Sequence, residues 1–481
     1  MSYNEKKTQS LKTIRKTKSL NYKKNDFVVS SGSFGKKDNS FIFFGCWNNI
    51  NCDEAYVFRD IILKILKQKE ENSTIIIGGD NWYNQKYNKK TKYYPIKVLY
   101  TGYKLLFDIS KDIYIVLGNH DIDTSDTSNT VSSVTPMEDY DNTISNRCML
   151  KTQEYVINYI LSQNYTNKSE KQIYSELTDY NIANSNVKNS KLHIFYPKIV
   201  NIGRYVYRLY INTNIYDESS DIIIEYTKAM ETLLLKTKDI KLLFVVGHHP
   251  FVGLKVKKDK YQQGINDFYI KGDTDLKKSL EIFKIIELLN KYKTIYLCAD
   301  VHSFQICKIH KKVGMVIVGT GGASKDLIDD KVKKIDFIID IFDENNKKVN
   351  KINVTDIHAY NAYGYSKISY DNNYDVYIEY LQIDETKMNE TETNGHIPYK
   401  TYNFKYEFNI TNDCWDIVNK NGGIIKIPLI KPTYYCKGKF PIFIDGENDV
   451  QFENLIKDVQ LVKLNSDEYC YNPVVKKKSK D

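Results

Sequence analysis

Four short apolar runs in this chain each end in a polar cluster of the same chemical kind. Ile75-Ile76-Ile77 leads into Gly78-Gly79-Asp80-Asn81-Trp82-Tyr83, and Ile113-Tyr114-Ile115-Val116-Leu117 into Gly118-Asn119-His120-Asp121. Leu242-Leu243-Phe244-Val245-Val246 leads into Gly247-His248-His249-Pro250, and Thr294-Ile295-Tyr296-Leu297-Cys298 into Ala299-Asp300-Val301-His302. Short continuous apolar runs bounded by Gly and polar residues are the pattern of strands buried on both faces. The chain therefore has to build a covered sheet. It also sets oxygen and imidazole donors repeatedly at the carboxyl ends of the strands, the rim where open α/β sheets bind ligands. Asp, Asn, His and Tyr gathered there suit divalent or trivalent metal ions. Two ions about 3.5–4 Å apart are a recurring device for phosphate-ester hydrolysis.

Between these runs the spacing turns helical. Phe58, Ile61, Ile62, Ile65 and Leu66 share a face over Ala55 to Lys69. Val98 to Ile109 and Leu276 to Tyr292 predict further helices. Strand–helix–strand alternation predicts a parallel sheet. Phe41-Ile42-Phe43-Phe44 is the first core strand, with others expected at Leu192–Tyr196, Tyr205–Ile215 and Val313–Val318, the last ending in Gly319-Thr320-Gly321-Gly322. Asn212-Thr213, at the end of one of these, reads as structural. Tyr365–Tyr370 and Val376–Ile383 flank Asp371-Asn372-Asn373, a hairpin signal. Residues 1–38 read as a basic disordered tail and 39–385 as the main domain. Within that domain, 122–190 is a polar insertion with a helix near Glu154–Leu161, and 386–481 reads as an accessory C-terminal region.

Composition narrows the setting. No run of about 18–20 apolar residues is present, so no membrane span is expected. The amino-terminal stretch is polar and basic with no apolar h-region, so no secretory signal is read and an intracellular place is expected. Eight scattered cysteines then read as free thiols. The net charge of +9 draws on Lys6, Lys7, Lys12, Arg15, Lys16, Lys18, Lys23 and Lys24 at one end and Lys476-Lys477-Lys478 at the other. These are solvated tails, or contacts for an anionic partner such as nucleic acid. Heavy use of Lys, Asn, Ile and Tyr with little Pro is the codon bias of an AT-rich genome, as in parasites and large DNA viruses.

In this order the motifs resemble those of the calcineurin-like metallophosphoesterases. Tyr83, three residues after Asp80, is similar to the GDNxY-type motif of the purple acid phosphatase branch. The resemblance implies a four-layer αββα sandwich and hydrolysis of a phosphate monoester by hydroxide held at a dinuclear centre. It implies two metal ions, iron paired with zinc, manganese or iron, and a phosphate-ester substrate as partner. Carried over by position, Asp80 bridges the ions, Asn119 and His248 bind the second, and His302 and Tyr83 bind the first. His120 assists the leaving group and Asp121 orients it. His249 lines the pocket or backs the ligands. Two positions depart from the pattern. Cys46 stands where the family has its first Asp, and Asp300 where it has a His of the second site. A thiolate and a carboxylate are both metal ligands, so both residues are ligand candidates, with Asn48 as a substitute ligand or supporting group. The rival expectation is a degenerate member of the family serving as a metal-binding scaffold or structural protein.

Overall fold

A computed structural model of the chain describes residues 30–31, 39–49, 53–83, 94–121, 149–163, 165–179, 192–193, 197–217, 220–254, 265–266, 276–323, 325–326, 337–343, 345–385, 396–420, 424–428, 435–436, 459–465 and 468–473. Both basic termini, most of residues 122–190 and the Tyr196 end of one expected strand lie outside this set. In chain order the main strands are β1 (Ser40–Phe44), β2 (Ile75–Ile77), β3 (Ile113–Val116), β4 (Lys198–Gly203), β5 (Val206–Tyr210), β6 (Leu242–Val246), β7 (Thr294–Cys298), β8 (Phe304–His310) and β9 (Val313–Val318). They continue with β10 (Phe337–Phe342), β11 (Lys348–Tyr360), β12 (Gly364–Tyr370), β13 (Val376–Ile383), β14 (His396–Asn409) and β15 (Cys414–Lys420). The main helices are α1 (Asp53–Lys69), α2 (Tyr94–Ile109), α3 (Met149–Leu161), α4 (Glu170–Asp179), α5 (Ser220–Lys236) and α6 (Leu276–Leu289).

The strands form two large mixed sheets. One runs β4-β5-β6-β7-β9-β8-β11-β10, the other β15-β14-β13-β12-β1-β2-β3. In the first, β5, β6, β7 and β9 are mutually parallel; in the second, β1, β2 and β3 are. Alternation along single strands divides the core. Phe244 and Val246 of β6, Ile295 and Leu297 of β7, and Val316 and Val318 of β9 belong to the cluster that also holds Phe41 and Phe43 of β1. Their neighbours Leu243, Val245, Tyr296, Cys298, Met315 and Ile317 belong to a second cluster with Met230 and Leu233 of α5 and Ile282 and Ile286 of α6. Side chains leave a strand on opposite faces in turn, so this sheet is buried on both sides. Each aliphatic side chain contributes about 1.5–3 kcal/mol on burial, which is why these runs are almost wholly apolar.

Across the gap Phe41 meets Phe244 edge-on at 5.2 Å and Phe304 stacks on Tyr380 at 4.0 Å. The outer face of the second sheet is covered by Ile62, Ile65 and Leu66 of α1, Leu99 and Leu106 of α2, and Val156 and Ile160 of α3. The layer order is helix, sheet, sheet, helix, the expected four-layer sandwich.

Several boundaries differ from the sequence reading. The strand expected over Tyr205–Ile215 stops at Tyr210, and Thr213–Asp217 coil into a 3-10 turn. There Asn212 Oδ1 accepts both the backbone and side-chain N–H of Asn214, at 3.2 and 3.0 Å, giving the backbone a local alternative to the sheet ladder. Helix α6 stops at Leu289, whose carbonyl accepts from Thr294 Oγ1 at 2.9 Å. The hairpin of β12 and β13 is antiparallel, as expected. Residues 396–420 add β14 and β15 to its edge, continuing the second sheet. Among the described residues Cys46, Cys298, Cys307 and Cys414 are free thiols, and no helix is long and apolar enough to cross a membrane.

The two sheets are stitched together at one rim. Gly45 N, just past β1, donates to Val318 O at the end of β9, Cys46 N donates to Gly79 O, and Ala299 N donates to His248 O. The carboxyl ends of β1, β2, β6 and β7 are thereby held against one another.

Candidate metal centre

Three strand ends at this rim share a backbone feature. Cys46, Asp80 and Asp300 have φ of 52°, 54° and 52°. Left-handed backbone costs a non-Gly residue roughly 1–2 kcal/mol, and such residues collect at functional sites where the surroundings over-determine them. Here the turn swings each side chain back over the end of its own strand. Two glycines make the crowding tolerable. Gly79 is itself left-handed at φ 94°, and a Cβ there would strike the His248 ring. A Cβ on Gly118 would collide with Asp80 Oδ1.

The result is a cluster centred on Asp80. On one side Cys46 Sγ lies 3.8 Å from Asp80 Oδ2, and the Tyr83 hydroxyl lies 3.2 Å from His302 Nε2. The ligand atoms of Cys46, Asp80 and His302 all fall within 4.8 Å of one another. On the other side His248 Nε2 is 3.3 Å from Asp80 Oδ1 and 3.7 Å from Asp300 Oδ1. His248, His249 and Asp300 form a second group within the same 4.8 Å limit. The His120 backbone N–H donates to Asp80 Oδ1 at 3.2 Å. Its ring, half-buried at the rim, packs against Tyr83 with centroids 4.6 Å apart.

Burial pushes the Asp80 carboxyl up, but His248, His120 and His302 outweigh it and hold the carboxyl below the ordinary range. Burial, Asp80 and Asp300 push the Cys46 thiol up, and burial, Asp80 and Cys46 push the Tyr83 phenol up. Burial lowers His249, with His248 and His120 adding to it, so that ring is neutral.

Supporting contacts fix which atoms are offered. His248 Nδ1 lies 2.7 Å from Gly78 O. A carbonyl only accepts, so Nδ1 donates to it, and Nε2 is the ring atom that faces Asp80 and Asp300. Thr213 Oγ1 accepts the backbone N–H of both His248 and His249, at 3.3 and 3.1 Å, and meets His249 Nδ1 at 2.8 Å. Thr213 therefore holds both histidines in place, a role its position in the sequence did not signal.

Two expectations change. Asp121 does not spend its carboxylate on the His120 ring. Oδ1 accepts from Asn81 N and Gln153 Nε2, both at 2.9 Å, and Oδ2 from Gly118 N at 2.8 Å and Asn81 Nδ2 at 3.0 Å. Four donors fill the four lone-pair positions of a carboxylate, so Asp121 ties the Asp80 loop to the Asn119 loop. Burial and Asp80 push it up to about 7. Asn48 is engaged beside the cluster through both of its side-chain polar atoms. Its Nδ2 donates to Asn81 O at 3.0 Å, and its Oδ1 accepts from Arg59 Nη1 at 2.6 Å. Asn81, whose Oδ1 also accepts from Trp47 Nε1 at 3.0 Å, is the hub of this network and lies inside the Asp80 motif itself. Gln153 arrives from α3 and is held by Tyr103 at 2.7 Å, a partner 50 residues away that no local pattern announces.

The donor set fits metal ions. Asn119 Oδ1 is buried with no hydrogen-bond partner among the described residues, an arrangement that costs about 1–3 kcal/mol unless something is bound to it. His248 Nε2 is likewise buried with no hydrogen-bond partner among the described residues, facing the Asp80 and Asp300 carboxylates. Asp80, Asn119, His248, Asp300, Cys46, His302 and Tyr83 carry the oxygen, nitrogen and sulphur donor atoms gathered at this rim.

A four-layer sandwich with buried Asp, Asn, His and Cys donors at the joined strand ends defines a metallohydrolase class of site. A family model, calcineurin-like phosphoesterase, matches residues 40–303, more than half of the 481-residue chain. The chain belongs to the calcineurin-like phosphoesterase family, and metal-dependent phosphoester hydrolysis is the activity that membership implies. No curated protein matches it. A solved structure of PhoD is similar at 11% identity and a TM-score of 0.43, covering 79% of this chain and 71% of that one; nothing further rests on that likeness.

Proposed function

We propose that the chain hydrolyses phosphate monoesters at a two-ion centre of the kind found in the purple acid phosphatase branch. One observation carries this reading. The two oxygens of Asp80 face opposite ways, Oδ2 toward Cys46 and Oδ1 toward His248, with a ligand group on each side. A carboxylate so placed is a bridge. When bound, two ions supply the charge that activates water and neutralises phosphoryl oxygens.

The chain's own residues do the rest. Asp80, Cys46, His302 and Tyr83 hold one position; Asp80, Asn119, His248 and Asp300 hold the other. Asp121, Asn81 and Thr213 keep these side chains from turning away. His120, at the rim and not in either ligand group, delivers a proton to the leaving oxygen. His249, neutral and tied at Nδ1 to Thr213, directs its other ring nitrogen away from that tie and serves to position substrate. Residues 39–385 form the catalytic domain in this reading, with 1–38 a basic tail and 386–481 accessory.

The test is a panel of aryl phosphates, alkyl phosphates and nucleotides between about pH 5 and 8 with iron, zinc or manganese added, a range that brackets an imidazole acid. The reading expects monoester turnover that Asp80→Asn abolishes. No turnover above the Asp80→Asn background, with metals bound, would leave the centre as a scaffold.

A further inference from the structure

The two sides of the centre differ in chemical softness, and the difference reverses what the purple acid phosphatase likeness implies. We propose that the first position is a thiolate site, in which Cys46, Asp80, Tyr83 and His302 surround zinc or another thiophilic divalent ion, and that the harder ion, iron or manganese, sits at the second position. The proposal rests on the two-ion reading and assigns an ion class to each side.

Three observations carry it. First, the donor atoms are spaced for one small ion. Four ligands at tetrahedral angles, with sulphur at about 2.3 Å and nitrogen or oxygen at about 2.0–2.1 Å, put sulphur about 3.5 Å from oxygen and nitrogen about 3.3 Å from oxygen. The corresponding pairs here are Cys46 Sγ to Asp80 Oδ2 at 3.8 Å and Tyr83 OH to His302 Nε2 at 3.2 Å.

Second, Cys46 sits apart from the two main cores, in a small buried cluster with Tyr83, Ala299 and Ala323 at the site itself. Its backbone is left-handed at φ 52°, a conformation it shares with Asp80 and Asp300 at their own strand ends and one that collects at functional sites.

Third, the opposite side has hardened. Asp300 adds a carboxylate to Asp80 Oδ1, His248 and the buried Asn119 Oδ1, which has no hydrogen-bond partner among the described residues. Oxygen-rich sets select harder ions, and thiolates select zinc and its like. Binding at the first position displaces the Cys46 proton to water, so the bond formed is sulphur to metal and nothing is oxidised or reduced.

The experiment uses the full chain loaded with cobalt(II) and, separately, with one equivalent of zinc. Cobalt is expected to give a sulphur-to-metal charge-transfer band in the near ultraviolet. That band should be absent in Cys46→Ser and in Cys46→Asp, while both variants still bind an ion at the second position. X-ray absorption of the zinc-loaded parent is expected to show one sulphur neighbour at about 2.3 Å, a reading that needs no variant to fold. Cobalt bound without the band, and zinc bound without sulphur, would overturn the proposal and leave the two-ion hydrolase standing. Failure of the parent to bind either ion would overturn both together.

Discussion

On one side of Asp80 the chain sets Cys46, Tyr83 and His302; on the other it sets Asn119, His248 and Asp300. The backbone builds both sides the same way. A buried strand ends, the next residues turn left-handed, and a short polar side chain folds back over the rim, as at Cys46 and Asp300 with φ of 52° in each. The side chains then diverge. The Cys46 side keeps a thiol, a phenol and a half-buried imidazole. The Asp300 side keeps a carboxylate, an amide oxygen and an imidazole whose Nδ1 is tied to Gly78 O at 2.7 Å. Support differs as well. His248 and His249 are held through Thr213, whereas His302 is held by its backbone N–H donating to Asp326 Oδ2 at 2.9 Å. In this centre the same backbone turn places donor atoms of different chemistry on the two sides.

If Asp80 joins the two sides, Asp80→Asn removes a ligand from both at once. Turnover of an aryl phosphate should fall about 10⁴-fold or more, roughly 5.5 kcal/mol of lost barrier lowering. A loss no larger than that of a one-sided variant, measured as kcat/KM, would break the comparison at its centre. His120→Ala comes next. It should slow alkyl phosphate turnover about 10²–10⁴-fold with metal content unchanged, and slow aryl phosphates less, because their leaving groups need little acid assistance. Equal effects on both substrates would remove His120 from the proton's path.

One-sided changes sharpen the contrast. Asp300→Ala should weaken the second position and Cys46→Ala the first, each beyond the ~10–100-fold typical of changes to groups that only support ligands. Competition against a metal indicator separates the two affinities; a variant that weakens both equally would show that the sides are not independent. The smallest effect on chemistry and the clearest on stability belongs to Asp121→Asn. The amide offers two lone pairs where the carboxylate offered four, so buried donors among Asn81, Gly118 and Gln153 lose partners, at about 1–3 kcal/mol each. Urea unfolding should show a lower midpoint with an unchanged slope.

What the sequence disclosed follows from what is local. The apolar runs at Phe41–Phe44, Ile75–Ile77 and Leu242–Val246 announced strands because burial on both faces leaves no polar position, and each was found as a strand. Strands β8, β10 and β11 went unread because polar residues such as Gln305, Lys308, Asp340 and Asn350 break their runs. Gln305 is accommodated inside β8 because the Leu254 backbone pairs with its amide at 2.9 and 2.7 Å across 51 residues, with Ser303 Oγ accepting at 2.8 Å. In the site, the motif residues were visible as residue types at strand ends. The left-handed turns that aim them were not, since Cys46 has no sequence mark of positive φ. Asp121 was given a partner next door because sequence reasoning sees neighbours first; its real donors come from three separate segments. Thr213 was read as structural, and it is, but what it supports is the pair of histidines.

The central claim is that Asp80 spans two metal positions, one on each side. Elemental analysis of the full chain after expression with iron, zinc and manganese tests it most directly, with Asp80→Asn prepared in parallel. The account predicts about two ions per parent chain and fewer than about one in Asp80→Asn. A parent holding less than about half an ion, or an Asp80→Asn variant that keeps both, would contradict it.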